Sequence, residues 1–301
     1  MMARETTEYS EGKNKFKKYF FFCLRSLWLI VFFGLIGIPS PAYSAKHSFD
    51  HVFIVVLENT NEADAYAQPF LRTIANQGAY LANFHGVTHP SQPNYLALTS
   101  GSTWNADNKM VSIDTNHIGD LLEAKGKSWK VYAEQYPGNC FLNEKSGAYA
   151  RKHVPFLSYK NIQSNPSRCS ARIVNSDALQ ADIMKGRFAD FSLYIPDNNN
   201  NGHNTGVAYA DSRLKKTFEP LLKNKKFING LLFIVTFDEG GKHNDDNHIY
   251  TAFRGDSVKP GTVSNTRYDL YSLLRTIEDG LHTGTLGRND QKAGPVTGIW
   301  R

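Results

Sequence analysis

A serine set between two prolines, in Thr88-His89-Pro90-Ser91-Gln92-Pro93-Asn94-Tyr95, is where nucleophilic chemistry is most readily placed in this chain. Pro90 pushes His89 out of helical geometry and Pro93 suits a first turn, so a helix is expected to open at Ser91 and to end near Gly101. A hydroxyl there lies among unpaired backbone N–H groups at the positive end of a helix dipole, a favourable place for a phosphoryl group. Serine is also an ordinary helix cap, so its position alone does not make it a nucleophile. Acidic motifs elsewhere change the reading. Glu58-Asn59 and Asp238-Glu239 each follow an apolar run, and His203 lies in the asparagine-rich loop 197–204. Glu58, Asn59, Asp238 and Glu239 offer oxygen ligands to one divalent cation, with Ser91 as a further ligand. Such an ion would offset their repulsion, lower the hydroxyl pKa of Ser91 and polarise a phosphoryl oxygen. His203 or His153 would protonate the leaving oxygen.

These residues need elements that bring them together. The runs 51–57, 80–87, 129–133, 191–195, 231–237 and 249–253 read as short buried strands. The stretches 63–77, 118–124, 178–184, 207–223 and 268–281 carry helical spacing. Strands alternating with helices predict an α/β fold with a doubly wound, mostly parallel sheet. In such sheets the carboxyl ends of strands line the ligand crevice, which places the acidic clusters on one edge. Residues 134–169 are expected to form an irregular excursion. A carboxylate after a strand is also a common loop solvator, and Tyr132, Glu134 and Tyr149 serve packing as readily as a pocket wall.

The first 45 residues differ from the rest. Basic residues up to Arg25 precede an apolar run over 26–38 and then small residues to Ala45, the pattern of a secretory signal. The run is short for a bilayer span of ~20 residues, so cleavage is expected over an uncleaved anchor. The division is therefore a signal peptide over 1–45 and one catalytic domain over 46–301, destined for the periplasm or the exterior. Half of the net charge of +6 sits in that leader. The mature chain is only mildly basic, which argues against a nucleic-acid partner. No later segment suits stable membrane insertion. Cys140 and Cys169 remain as a pair in an oxidising compartment, with a disulfide as the expected state and two buried thiols as the alternative.

The combination resembles the bacterial phosphoesterase family that contains acid phosphatases and phospholipases C, within the alkaline phosphatase superfamily. The residues that carry it are Glu58-Asn59, His89 to Tyr95, Tyr149-Ala-Arg-Lys-His153-Val-Pro155, Pro196 through His203 and Thr236-Phe-Asp238-Glu239-Gly240-Gly241. Val258-Lys259-Pro260-Gly261 and Leu273-Leu274-Arg275-Thr276 are similar to its later landmarks. The resemblance implies an alkaline phosphatase-like fold, Ser91 as nucleophile, Glu58, Asn59, Asp238 and Glu239 as metal ligands, and roles for His203 and His153. It implies a metal-dependent phosphoester hydrolase with a phosphoserine intermediate, and the compact mature chain, with no long lid or lipid-binding appendage, favours a phosphatase acting on small monoesters. A phospholipase C acting on phospholipid headgroups is the alternative, and a non-catalytic phosphate- or metal-binding protein a further one. The metal could be Zn, Ca, Mg or Mn. Where the family often has Asn-Asp-Gly-His, this chain has Asn200-Asn201-Gly202-His203, which favours one cation over two and His203 on phosphate rather than metal. His243 and His248, which flank Asp245-Asp246, read as loop solvation.

Overall fold

The computed structural model describes residues 49–241 and 246–301. The expected signal segment and the loop histidine His243 lie outside the described residues. All described residues belong to one compact unit.

An eight-stranded sheet runs through the molecule in the order Thr262–Ser264, Ala79–Leu81, Thr251–Gly255, Leu231–Phe237, His51–Leu57, Phe191–Ile195, Trp129–Ala133, Ile173–Asn175. Every pairing is parallel except those of Thr251–Gly255, which runs against both of its neighbours. The central strands Leu231–Phe237 and Phe191–Ile195 are buried along their whole length, and His51–Leu57 at all but its first residue. Continuous apolar runs rather than alternating ones follow from burial on both faces. The expected mostly parallel α/β sheet is therefore the fold observed.

Several element bounds differ from expectation. The single helix over 63–77 is two, Glu62–Tyr66 and Pro69–Asn76. Pro69 has no N–H to donate within a helix, so it starts the second one. The strand expected over 80–87 splits in two. Ala79–Leu81 joins the main sheet, while Phe84–His85 pairs with Tyr268–Asp269 in a separate two-stranded sheet. The strand expected at 249–253 is Thr251–Gly255, and the closing helix is Leu270–Gly280. The excursion after residue 134 holds short 3-10 and α-helical turns, including Arg151–His153 and Pro166–Arg172. A Cys140–Cys169 disulfide closes it.

The helix Ser91–Ser100 is buried at all ten positions. It packs between Leu270–Gly280 on one side and the turns Arg151–His153 and Pro155–Ser158 on the other. Its polar residues are satisfied locally: Thr99 Oγ1 donates to Tyr95 O and Ser100 Oγ to Leu96 O. Gly101 ends it in a left-handed conformation, φ 71°. A Cβ there would come within 2.2 Å of Asp290 Oδ1, so glycine is required twice over.

Candidate active site

Strand register assembles the acidic groups. Leu57 pairs with Phe237 at the carboxyl ends of two adjacent parallel strands. Glu58 and Asp238 therefore leave the sheet side by side, and Asp238 N donates to Leu57 O. Glu58 N donates to Asn201 O, which fixes the third loop against the first. Phe191–Ile195 supplies that loop from the other side of His51–Leu57.

Ser91 sits at the first position of its helix and is 2% exposed. Its Oγ lies 2.8 Å from Glu239 Oε1 and 3.2 Å from Glu58 Oε2. Asn59 Nδ2 donates to the same Glu239 Oε1 at 3.0 Å. Ser91, Glu58, Asn59 and Glu239 thus converge, although Asn59 and Glu239 are 180 residues apart in sequence. Asp238 is buried beside them, and neither of its oxygens has a well-formed hydrogen bond among the described residues. Burial first, then the charges of Glu58 and Glu239, hold its carboxyl well above the usual aspartate range. Burial likewise raises Glu58, against the hydrogen bond from Tyr95 and the positive charge of Lys152. Among the described residues no three His, Cys, Asp or Glu side chains are already drawn together as a cation cage. The donors with oxygen to offer an ion are Glu58, Asp238, Glu239, Asn59 and Ser91.

The two histidines of the site differ. His153 is buried, with Nε2 3.2 Å from Glu58 Oε1 and its ring stacked on Tyr95 at 5.3 Å. Burial, with Lys152 and His203 nearby, keeps its pKa well below the ordinary imidazole value. That contact with Glu58 is not a well-formed hydrogen bond among the described residues. His203 is exposed and close enough for its charge to act on Glu58. Asn201, which stands where the family often has aspartate, is buried, and its Oδ1 accepts the His203 backbone N–H. Its amide is used to shape the loop.

Four positioning residues escaped the sequence reading. His89 Nδ1 lies 2.5 Å from Glu239 Oε2, so Glu239 is held at both oxygens. Tyr95 OH donates to Glu58 Oε1 at 2.6 Å. Asn94 Oδ1 accepts from the backbone of Val87 and Thr88, and its amide donates back to Thr88 O and Pro90 O. Asn247 joins the two loops, accepting from Gly240 N and donating to Thr88 O. The proximity of His89, Asn94 and Tyr95 to Ser91 was a usable signal. Nothing in the sequence marked Asn247.

Cavity size is a poor guide here. A hollow of about 750 Å³ opens around His51, Lys225 and Asn229, at the amino end of the central strands and so opposite Glu58. A smaller one of about 320 Å³ is lined by Asn108, Lys152 and Asn198, which touch or neighbour residues of the site. Asn108 accepts from Gln92 N, and the Asn198 side chain reaches the ring of His153.

Comparisons with known proteins show the family and the fold. The phosphoesterase family matches residues 61–282. A probable acid phosphatase of Kluyveromyces lactis is 34% identical over 82% of this chain and 61% of its own length. A phosphatidylinositol-3-phosphatase of Mycobacterium tuberculosis is 32% identical over 86% of this chain and 85% of its own. The chain spans only 57–64% of the length of the acid phosphatases it matches. A solved alkaline phosphatase superfamily protein from Vibrio parahaemolyticus superposes with a TM-score of 0.58 at 14% identity, covering 83% of this chain and 71% of that one, which supports the fold. The match over residues 61–282 and the Mycobacterium relative, covered nearly end to end, place this chain in the phosphoesterase family.

Proposed function

We propose that this protein hydrolyses phosphomonoesters through a phosphoserine intermediate on Ser91. The observation that carries the reading is the Ser91 hydroxyl, at the N-terminus of a buried helix and in hydrogen-bond contact with both Glu58 and Glu239. Ser91 Oγ forms the bond to phosphorus as the ester P–O bond breaks. Glu239 Oε1, which already accepts the Ser91 hydrogen bond, takes the proton. His203, exposed at the rim, protonates the leaving alcohol oxygen, while Tyr95 OH holds Glu58 in place and buried His153 packs against both. Water then attacks phosphorus and passes a proton to His203, the P–O bond to Ser91 breaks, Glu239 returns its proton to Ser91 Oγ, and phosphate leaves.

The donor set fits one divalent cation. Three buried carboxylates that repel one another, one of them with neither oxygen in a well-formed hydrogen bond, are costly unless a positive charge joins them. Glu58, Asn59, Ser91, Asp238 and Glu239 would hold that ion, which supplies Lewis-acid activation of the hydroxyl and the phosphoryl group when bound. The relatives described above are named phosphatases, which favours a monoester over the phosphodiester of a phospholipase C. No helix among the described residues is long and apolar enough to cross a membrane. The leader-like first 45 residues and the disulfide support export to the periplasm or the exterior.

Ser91→Ala is the test. We expect turnover of p-nitrophenyl phosphate to fall by at least about 10³-fold, since the covalent step is removed, while the melting temperature stays within a few degrees of wild type. Near-normal turnover in that variant would refute the assignment.

A further inference from the structure

The cavity beside the site has a feature that phosphoryl transfer does not need. Lys152 is half-buried in its wall, and Lys145 stands nearby. Neither makes an ion pair within 4 Å among the described residues, so both ammonium groups are open to a group in the cavity. The two ammonium groups put positive charge on the cavity wall, where an anionic group entering the cavity would meet it. The position is imposed by the fold. Lys152 lies between Arg151, whose buried guanidinium donates to Leu142 O and Leu157 O, and His153, which sits against Glu58. The Lys152 charge acts on both Glu58 and His153, so it lies within electrostatic reach of the groups that bracket Ser91. Two other wall residues touch the same network: Asn108 through Gln92 N, next to Ser91, and Asn198 through His153. At about 320 Å³ the cavity has room for a leaving group of a few heavy atoms.

We infer that this cavity is the leaving-group subsite and that Lys152 selects phosphomonoesters whose leaving group carries a second negative charge, a carboxylate or another phosphate. The inference rests on the phosphatase reading and adds a substrate class to it. The reaction itself is unchanged: water and the ester give phosphate and the anionic alcohol. Glu144, also in the wall, sets the limit on that preference, because its charge opposes one of the two lysines.

A matched pair of esters tests it: 3-phosphoglycerate, whose leaving group is anionic, and glycerol 3-phosphate, whose leaving group is a neutral analogue. For the wild type we expect kcat/KM to favour 3-phosphoglycerate by about tenfold, mostly in KM, as one desolvated charge contact provides. Lys152→Met should bring the ratio close to one and Lys152→Arg should restore most of it. A purely structural role for Lys152 would lower both substrates by the same factor and leave the ratio unchanged, which would overturn the inference. A wild-type ratio of one or less would overturn it as well, and would leave the phosphatase reading intact. Failure of the wild type on both esters and on p-nitrophenyl phosphate would remove the phosphatase reading and this inference together.

Discussion

Asp238 is the residue whose environment makes least sense without a positive charge. It is 1% exposed, its oxygens lack well-formed hydrogen bonds among the described residues, and two other carboxylates act on it. An asparagine has the same shape and no charge to desolvate. In metal-free protein Asp238→Asn is therefore expected to raise stability, by about 1–3 kcal/mol, because it removes the buried charge and its repulsion with Glu58 and Glu239. Wild-type protein should gain thermal stability on adding a divalent cation after chelation, and the variant should lose that gain together with activity. Calorimetry of both proteins, with and without chelator, measures this. A metal-free variant less stable than metal-free wild type would show that Asp238 is structural. This residue was legible in the sequence because two acidic pairs follow two strongly apolar strands. What no spacing could show was that Leu57 and Phe237 pair in register, which brings Glu58 and Asp238 out together. Asn247 was illegible for a related reason: its value lies in bridging Gly240 to Thr88, loops more than 150 residues apart.

At the level of elements, the Ser91 helix depends on the helix Leu270–Gly280 packed against it. The segment after that helix clamps the far end, through Arg288 to Ser100 O and Asn289 N to Gly101 O. Within this support lies a buried acid pair. Glu278 and Asp290 are both fully buried, and neither oxygen of Glu278 has a well-formed hydrogen bond among the described residues. Asp290 is committed to Leu286 N and Arg288 N. Burial first, then the Asp290 charge, pushes the Glu278 carboxyl up from 4.5 to about 9, against the nearby Leu286 backbone N–H and the weaker pull of Arg275. The unfolded chain releases that proton near 4.5, the folded chain only near 9. Between those values the folded state binds more protons, so this contribution to stability is complete below 4.5 and is lost as pH rises towards 9. Glu278→Gln should leave the melting temperature unchanged near pH 4.5, raise it at about pH 8 and flatten the decline between. In a chain of this size each kcal/mol recovered is worth about 2–4 °C. Parallel slopes for the two proteins across that range would show that Glu278 is not the titrating group. Sequence spacing located this helix but gave no hint of the buried acid on it, because its burial comes from the C-terminal segment folding back.

Across the whole molecule, one wall of the site stands outside the sheet. Glu58, Asp238, Glu239 and the 197–204 loop are fixed by strand ends, but Lys152 and His153 belong to the excursion after residue 134. Composition marked that excursion as irregular and could not show how it returns to the site. Two devices hold it: the Arg151 guanidinium bound to backbone carbonyls, and the Cys140–Cys169 disulfide, which spans a separation of 29 residues and encloses both Lys152 and His153. Loop-closure entropy for a ring of that size corresponds to about 3–4 kcal/mol of stabilisation. Its loss should fall unevenly, since the central strands are tied to one another by their own parallel pairing, while the excursion, which touches them through Phe156, owes its shape to the disulfide. Replacing both cysteines by serine is therefore expected to lower the melting temperature and to raise KM for phosphomonoesters more than it lowers kcat. Glu58 and Glu239 would stay anchored at the strand ends with Ser91 between them, while the Lys152–His153 wall and the turns packed on the Ser91 helix loosen. The 3-phosphoglycerate preference should shrink in the same variant, because it depends on that wall. Steady-state kinetics on both esters, with a melting curve for each protein, decides it. A fall in kcat with unchanged KM would mean that the disulfide supports the Ser91 centre itself, and the division between a sheet-borne centre and a clamped wall would have to be abandoned.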